Sequence, residues 1–234
     1  MHCDLHMHST ASDGTDAPEQ LAALAAEADL SALALTDHDT TAGLAECAAA
    51  CGRAGNPASV PWQPAVGDDP TAPDPAPTGT LHILGYGIDP DHPPLHLIQA
   101  KLRQARAQRN PEIIARLRDL GVSITYEEVL QLVDQQGGDR HNIVGRPHIA
   151  QVLVNKGYAR TIRDAFARYI GQGKPAYVRK DQLSAADAIA AIHHAGGLAV
   201  LAHPVHLRLP DADSLEHYIS ILAEYGLDGI ETRH

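Results

Sequence analysis

The sequence predicts a mixed α/β fold in which parallel strands are interrupted by an all-helical block. Three observations support this prediction. The first third of the chain alternates short apolar strand patterns with helical patterns, the middle shows helical patterns alone, and strand patterns return in the last quarter. Alternation at this spacing is typical of a parallel sheet with helical crossovers. With 234 residues, the chain can bury a substantial hydrophobic core.

The first two strand–helix pairs lie near the N-terminus. The stretch HCDLHM predicts the first strand, and APEQLAALAAEADL, which has Pro18 near its first turn, predicts the first helix. SALALTDHD predicts the second strand, and TAGLAECAAACGRAG predicts a second helix that ends at glycine. Later strands are predicted in TLHILGYGID, in GGLAVLAHP and in LDGIETRH.

A proline-rich segment at residues 57–79 separates the second helix from the third strand. Seven prolines fall between Pro57 and Pro77. Proline fixes φ and has no backbone N–H, so this density argues against any regular element. We therefore expect a loop or a mobile flap.

Residues 95–177 are predicted to form an all-helical insertion between two parts of the α/β domain, at 1–94 and 178–234. LHLIQAKLRQARAQRN and PEIIARLRDLG predict two helices that meet at Asn110 and Pro111, a cap followed by a first-turn proline. Thr125 and Glu128 form a capping-box pattern at the start of the next helix. RPHIAQVLVNKGY and TIRDAFARYIG complete the block.

The composition argues against several classes of protein. The net charge of −11, with histidine neutral, disfavours broad non-specific attraction to nucleic acid or to anionic membranes. Aromatic residues make up 4% of the chain, too few for extended base-stacking platforms. Three cysteines without a secretory signal, and no apolar run of membrane-spanning length, predict a cytoplasmic protein with no membrane partner.

Histidine is the exceptional residue type, with 15 copies. His6 and His8 lie two apart on the first strand, so both side chains project from one face. His38, His82 and His203 fall in or just after three other predicted strands. A single histidine in a strand is more often a core residue than a ligand. Histidines in or just after four different strands, however, favour a metal site. If the strands close a parallel barrel, their carboxyl ends gather on one face. The carboxylates expected in the same basin are those of Asp13, Asp37 and Asp39.

Four motifs carry a resemblance to a known family: DLHMHSTASDGT, LTDHDT, LHILGYGID and VLAHP. They resemble the polymerase-and-histidinol-phosphatase (PHP) domain, most closely its stand-alone phosphoesterases. That subgroup includes nucleoside 3′,5′-bisphosphate phosphatases and exonucleases that trim RNA from its 5′ end, and GRPHIA and GKPAYV are also similar to it. The resemblance covers nearly all of the chain. It implies a distorted (β/α)7 barrel with a helical insertion.

The resemblance also implies two or three divalent metal ions and the side chains that hold them. His6 and His8 would serve one metal, His82 with His203 a second, and Asp13 with His38 a third. Asp13 and His38 would be the catalytic side chains. Cations ~3.5–4 Å apart can hold a bridging hydroxide for attack on phosphorus. Imidazole and carboxylate ligands suit manganese, iron or zinc better than calcium, and manganese is common in the family; magnesium stays open.

Two departures from the family pattern bear on activity. The family has a bridging glutamate in a PGVE context, whereas PAVGDD places Gly67 at that position, with Asp68 and Asp69 as candidate substitute ligands. The family also has a late Asp-x-His motif, and this sequence ends at GIETRH before any such motif. We therefore expect a barrel that lacks its last strand or strands, with His234 as a weak substitute ligand.

Phosphate recognition requires cations or other donors near the metal face. By resemblance to the subgroup, the candidates are Arg146, His148 and Lys174, which lie in the insertion expected to cap the barrel. An arginine fork suits bidentate contact with phosphate. Two alternatives stay open: Arg146 could cap the start of a helix, and Lys174 could be a solvated loop charge.

These observations predict a metal-dependent phosphoesterase that acts on a small nucleotide bisphosphate or on short 5′-phosphorylated RNA or DNA. An amidohydrolase-like metal hydrolase is one alternative, because barrels with H-x-H metal sites also cleave amides. The T-D-H-D element and the lack of an obvious carbamylated lysine favour the phosphoesterase. A catalytically impaired metal- or phosphate-binding domain is the second alternative, favoured by the two departures. No protein partner is indicated.

Overall fold

A computed structural model describes residues 2–54, 58–59, 65–66, 76–136, 144–179 and 182–232. The predicted alternation at the N-terminus is confirmed. Its elements are β1 (His2–Met7), α1 (Pro18–Glu27), β2 (Leu30–Leu35), α2 (Leu44–Ala54) and β3 (Ala58–Ser59). The three strands form a parallel sheet in the order β1-β2-β3, with Met7 opposite Leu35. Apolar side chains of α1 and α2 pack on β2 and bury the helical crossovers.

The second sheet is mixed, which differs from the all-parallel prediction. Its order is β4-β5-β6-β7, and its strands are β4 (Ala65–Val66), β5 (Leu81–Tyr86), β6 (Leu198–Leu201) and β7 (Gly229–Ile230). β5 runs antiparallel to both β4 and β6, whereas β6 and β7 are parallel. Among the described residues the strands therefore form two sheets. Their pairing does not trace a closed ring, so the (β/α)7 barrel stays a prediction.

The proline-rich segment contains regular structure that its composition did not predict. β3 and β4 both fall within residues 57–79, and each is two residues long. Such short strands need only a few backbone donors, and Ala58–Ser59 and Ala65–Val66 contain no proline. The expectation that no regular element forms here is therefore wrong for these four residues. Residues 57, 60–64 and 67–75 lie outside the described residues, and the mobility of the segment stays a prediction.

The predicted helical block contains α3 (Pro93–Asp119), α4 (Tyr126–Gln135), α5 (Arg146–Asn155) and α6 (Ile162–Ala165), which continues into a π-helical turn at Phe166–Ile170. α3 is one helix of 27 residues, so the predicted break at Asn110 and Pro111 is wrong. Pro111 removes one N–H from the helical ladder, but the buried side chain of Asn110 holds the helix to the segment before α5. The block buries its own hydrophobic core, separate from the two cores around the sheets.

The last part of the chain returns to the second sheet. α7 (Ala185–His194) precedes β6, and a 3₁₀ turn at Pro204–Leu207 and α8 (Ala212–Glu224) lie between β6 and β7. Ser184 and Asp211 cap the two helices with their side chains. Apolar residues of α7 and α8 pack on β5 and β6. None of the helices in the described residues combines the length and the apolar character that a bilayer crossing requires.

Candidate active site

Five histidine rings form a closed circle where the two sheets meet. Successive ring centroids lie 5.2 Å apart from His6 to His8, 4.6 Å from His8 to His38 and 4.9 Å from His38 to His82. The circle closes with 5.1 Å from His82 to His203 and 5.5 Å from His203 to His6. The structure thus brings together all five histidines that the sequence analysis grouped. Rings at this spacing can share bound metal ions.

Strand pairing explains how residues far apart in sequence meet. The parallel register of β1 and β2 continues past Leu35, where the Thr36 N–H donates to the Met7 carbonyl at 2.7 Å, so His38 follows β2 next to His8. The antiparallel register of β5 and β6 sets the start of β5 beside the end of β6. The Ala202 N–H accordingly donates to the His82 carbonyl at 3.1 Å, and the rings of His82 and His203 are 3.2 Å apart between nitrogens. His82 therefore lies at the beginning of its strand, not at a carboxyl end.

Asp13 reaches the histidines from a tight turn after β1. The Gly14 N–H donates to the Ser9 carbonyl, and a Cβ at Gly14 would lie 2.1 Å from the His8 carbonyl oxygen, so only glycine fits this close approach. A carboxylate oxygen of Asp13 lies 3.8 Å from His38 Nε2. Ligand atoms of His8, Asp13 and His38 all lie within 4.8 Å of one another. Two imidazole nitrogens and a carboxylate oxygen are a donor set that fits a divalent transition-metal ion.

Asp37 and Asp39, which the sequence analysis also expected in this basin, are both hydrogen-bonded to other polar groups. Asp37 is buried and accepts hydrogen bonds from the Ser9 N–H and from the hydroxyls of Ser9 and Ser12, at 2.6–2.7 Å. Asp39 is buried and accepts from Arg106 Nε at 2.7 Å. Asp37 thus stabilises the turn that carries Asp13, and Asp39 fixes an arginine. Burial raises the pKa of Asp37 to about 6, although the serine donors oppose this shift.

Glu231 contacts the histidine circle, although sequence reasoning did not select it as a site residue. One of its oxygens lies 3.0 Å from His6 Nδ1, and the other accepts from the His203 N–H at 2.6 Å. The glutamate follows β7 directly, and the parallel pairing of β7 with β6 places it beside His203. A carboxylate in the stretch GIETRH was visible in the sequence, but its neighbours depend on this pairing.

Two of the histidines are strongly biased towards the neutral form. Burial lowers the pKa of His82 well below its usual value, and the nearby His38 and His203 add to the effect. Burial, with His206 and His6, lowers the pKa of His203 to about 4. Neutral imidazole keeps the nitrogen lone pair that a metal ion needs. Around neutral pH these side chains are therefore in the form that binds metal.

A cavity of about 230 Å³ adjoins the histidines. Asp13, His38 and His82 contribute to its lining, and so do the three arginines Arg106, Arg109 and Arg146. Phe166 and Tyr177 also line it, and the Arg146 guanidinium lies 5.4 Å from each ring centroid. This combination gives the cavity metal-ligating groups and a cluster of cations. It can bind a small anion next to the candidate metal ligands.

Arg106 and Arg109 were missed by the sequence analysis. They lie three residues apart on the buried face of α3, with only 8% and 6% exposure. Their spacing in KLRQARAQRN could have indicated them, because it places both arginines on one face of the helix together with apolar residues. Arginine rarely faces a core without a partner. Arg109 donates from Nε and Nη2 to the carboxamide oxygen of Asn110, at 3.1 and 2.8 Å. Burial, together with Arg106 and Arg146, lowers the pKa of Arg109 to about 9.

The three predicted phosphate ligands lie in different environments. Arg146 lines the cavity and donates to the Ile170 carbonyl at 3.2 Å. His148 is buried and accepts from the Gly145 N–H at Nδ1, and burial lowers its pKa. Lys174 is exposed and is not among the residues that line the cavity. The roles assigned to all three stay predictions. The candidate substitute ligands Asp68, Asp69 and His234 lie outside the described residues.

Comparison with known protein families agrees with the family resemblance of the H-x-H and T-D-H-D motifs. A family model described as the PHP domain matches residues 4–197. The chain belongs to the PHP domain family. This confirms the resemblance that the H-x-H and T-D-H-D motifs indicated.

Two curated relatives are named as a phosphatase and an exoribonuclease. The chain is 36% identical over 207 residues to the 3′,5′-nucleoside bisphosphate phosphatase of Chromobacterium violaceum. This alignment covers 86% of the chain and 66% of the phosphatase. The chain is also 36% identical over 236 residues to the 5′-3′ exoribonuclease Rnm of Escherichia coli. That alignment covers 97% of the chain and 73% of the exoribonuclease. The chain thus spans about two thirds to three quarters of the length of these relatives.

Solved PHP-like structures share the fold. An amidohydrolase from Chromobacterium violaceum, with bound sulfate and no metal, superposes with a TM-score of 0.86 at 35% identity, covering 98% of this chain and 76% of that one. A Bifidobacterium adolescentis protein assigned as a metal-dependent phosphoesterase superposes with a TM-score of 0.84 at 31% identity. The superposition covers 99% of this chain and 77% of that one. Together, the relatives and structures support a metal-dependent phosphoesterase function, the class that the sequence predicted.

Proposed function

We propose that this chain hydrolyses a phosphomonoester of a nucleoside 3′,5′-bisphosphate or of a short 5′-phosphorylated oligonucleotide. The observation that carries the proposal is a single cavity lined both by candidate metal ligands and by three arginines. A metal centre alone would suit many hydrolases, and arginines alone would suit many anion-binding proteins. Their combination fits a phosphate ester that must be bound and cleaved in one place. The names of the two curated relatives support nucleotide and RNA substrates.

We propose that His6, His8, Asp13, His38, His82 and His203 hold two or three divalent ions. The donor set of His8, Asp13 and His38 supports this, and manganese is the metal we would load first. When bound, such ions supply Lewis acidity and neutralise charge on the phosphate oxygens. His203 is buried and the other five residues are half-buried, so water can still reach this side of the cavity.

The arginines would bind and orient the substrate phosphate. Arg146 is held between Phe166 and Tyr177, which restricts its guanidinium before any ligand arrives. Arg106 is fixed by Asp39. Such preorganised donors bind a phosphate without first having to give up many side-chain conformations. His148 accepts at Nδ1, so its Nε2 carries the hydrogen and can donate to an anion.

The test is phosphate release by the purified full chain, stripped with chelator and then loaded with manganese. Adenosine 3′,5′-bisphosphate is the substrate, and His8→Ala is compared with His96→Ala, which changes an exposed histidine on α3. We expect turnover that requires manganese, falls at least about a hundredfold in His8→Ala and is unchanged in His96→Ala. Equal turnover in chelator, or in His8→Ala, would contradict the proposal.

An amidohydrolase-like activity is the second candidate, because one of the structural neighbours is named an amidohydrolase. A panel of small amides assayed on the same manganese-loaded sample separates the two classes. Amide cleavage without phosphate release would favour the amidohydrolase. Manganese binding without turnover of either substrate would favour the catalytically impaired binding domain.

We further propose that the two sheets are parts of a distorted (β/α)7 barrel, with 1–94 and 178–234 as its two segments and 95–177 as the insertion. The separate hydrophobic core of the helical block supports this division. The histidine circle supports the barrel, because it places residues from both sheets around one centre.

A further inference from the structure

Glu231 links the two sheets at the histidine circle. Its Oε1 lies 3.0 Å from Nδ1 of His6 on β1, and its Oε2 accepts from the backbone N–H of His203 at 2.6 Å. The side chains of His6 and Glu231 are only 5% and 12% exposed. The Glu231 N–H also donates to the Leu201 carbonyl at 2.9 Å, which fixes the backbone on the second sheet. Each carboxylate oxygen therefore contacts a different candidate metal ligand.

The contact with His6 determines which ring nitrogen can bind metal. A carboxylate accepts but does not donate, so the hydrogen in this contact belongs to His6 Nδ1. The lone pair that remains on the ring is then at Nε2. Carboxylates that accept from one nitrogen of a metal-binding histidine fix its tautomer and its ring orientation, and they make the other nitrogen more basic.

The contact with His203 supports an unusual backbone conformation. His203 has φ of 28° and ψ of 68°, in the left-handed region that non-glycine residues seldom adopt. This conformation turns the chain from β6 into the 3₁₀ turn and directs the ring towards His82 and His6. The hydrogen bond from the His203 N–H to Glu231 stabilises the turn at its first residue.

We propose that Glu231 is a positioning residue of the metal centre, which fixes the Nδ1–H tautomer of His6 and the backbone of His203. The inference rests on the metal centre of the proposed function. It assigns Glu231 a role through its two hydrogen bonds, one to each candidate ligand, and not through a direct bond to a metal.

The experiment compares Glu231→Ala and Glu231→Gln with the wild-type chain, with Glu224→Gln as a matched control at an exposed glutamate on α8. Nitrogen NMR of ¹⁵N-histidine-labelled, metal-free protein reports the His6 tautomer, and calorimetric titration with manganese reports affinity. We expect Nδ1–H at His6 in wild type and a mixed tautomer in Glu231→Ala. Manganese affinity should fall about 10- to 100-fold in Glu231→Ala. Glu231→Gln should keep the tautomer, because its carboxamide oxygen can still accept, and should lose less affinity.

Two results would overturn the inference. The first is an unchanged His6 tautomer in folded Glu231→Ala, and the second is manganese affinity equal to that of wild type. If Glu231→Ala does not fold, Glu231→Gln tests the inference. It should show the wild-type tautomer and a measurable loss of manganese affinity, and an unchanged affinity would contradict the inference. The tautomer is read without metal or substrate. A wild-type chain that binds no manganese would therefore contradict the proposed function while leaving the tautomer test intact.

Discussion

Arg109 shows most clearly how a single residue points to a ligand. It is buried on α3 beside two other arginines, and its hydrogen-bonding partner is the neutral carboxamide of Asn110. With a pKa of about 9 it is still protonated at neutral pH. Asp39 offsets part of the repulsion from the other arginines, but it is itself paired with Arg106, so a further anion would stabilise the buried charge. A substrate phosphate in the adjoining cavity would supply that anion.

We predict that Arg109→Met raises KM for adenosine 3′,5′-bisphosphate about tenfold or more, because a charge-assisted contact contributes about 1.5–3 kcal/mol. The effect on a nucleoside monophosphate should be smaller if Arg109 binds the second phosphate. Steady-state kinetics on both substrates measure this difference, and Lys101→Met, an exposed change on the same helix, is the control. Equal effects on both substrates would assign Arg109 to the reacting phosphate instead.

Asp37 makes the metal-free protein sensitive to pH. Its pKa is raised from 3.8 to about 6 by burial, so the folded state holds the proton more tightly than the unfolded state does. The stability that this provides is complete below about pH 4 and is lost as the pH rises through 6. The loss amounts to about 3 kcal/mol.

Asp37→Asn should remove this dependence while keeping an oxygen that can accept from Ser9 and Ser12. We predict that its free energy of unfolding, relative to wild type, increases by about 2–3 kcal/mol between pH 4 and pH 7. Urea denaturation in chelator measures this change, with Asp119→Asn as an exposed control. A constant difference between mutant and wild type across this range would contradict the raised pKa and show that the serine donors balance the effect of burial.

At the scale of elements, Asn110 connects α3 to the start of α5. Its Nδ2 donates to the Val144 carbonyl at 2.9 Å, just before Gly145, where an added Cβ would lie 3.4 Å from a carboxylate oxygen of Asp13. The same side chain holds Arg109 through its oxygen. One buried carboxamide therefore holds Arg109 and connects α3 to the segment before α5, which lies near Asp13.

We predict that Asn110→Ala lowers the free energy of unfolding by about 2–4 kcal/mol, because it leaves a buried carbonyl and a buried guanidinium without this partner. Asn155→Ala, at the exposed end of α5, should change it by less than about 0.5 kcal/mol. Chemical denaturation followed by circular dichroism measures both. A loss as small as that of the control would mean that water replaces the carboxamide.

At the scale of the whole molecule, the histidine circle joins two sheets that share no strand pairing among the described residues. His6, His8 and His38 belong to the first sheet or its extension, and His82 and His203 belong to the second. Metal ions held by ligands from both sheets would bind the folded state and hold the sheets together. Metal removal should therefore affect stability as well as activity.

We predict that manganese at about 100 times its dissociation constant raises the free energy of unfolding by about 2.7 kcal/mol. The stabilisation should be absent or much reduced in His8→Ala and should persist in His96→Ala. Thermal unfolding with manganese and with chelator measures it. An unchanged melting temperature in wild type would contradict a metal centre that joins the two sheets.

The sequence by itself determined the local elements and most of the candidate metal ligands. Apolar periodicity predicted β1, α1, β2 and α2, because burial of one face needs only neighbouring residues. The H-x-H pair on β1 and the T-D-H-D motif after β2 indicated the histidine cluster, and the family match confirmed that resemblance.

Only the tertiary structure decided which polar groups meet. Asp37 and Asp39 looked equivalent to Asp13 in sequence, but the structure pairs Asp37 with serines and Asp39 with an arginine. His82 reached the cluster through an antiparallel pairing, and Glu231 through the pairing of β7 with β6. The physical reason is that a hydrogen bond or an ion pair depends on distances of about 3 Å between residues far apart along the chain. Those distances are set by sheet pairing and helix packing, which local sequence patterns do not encode.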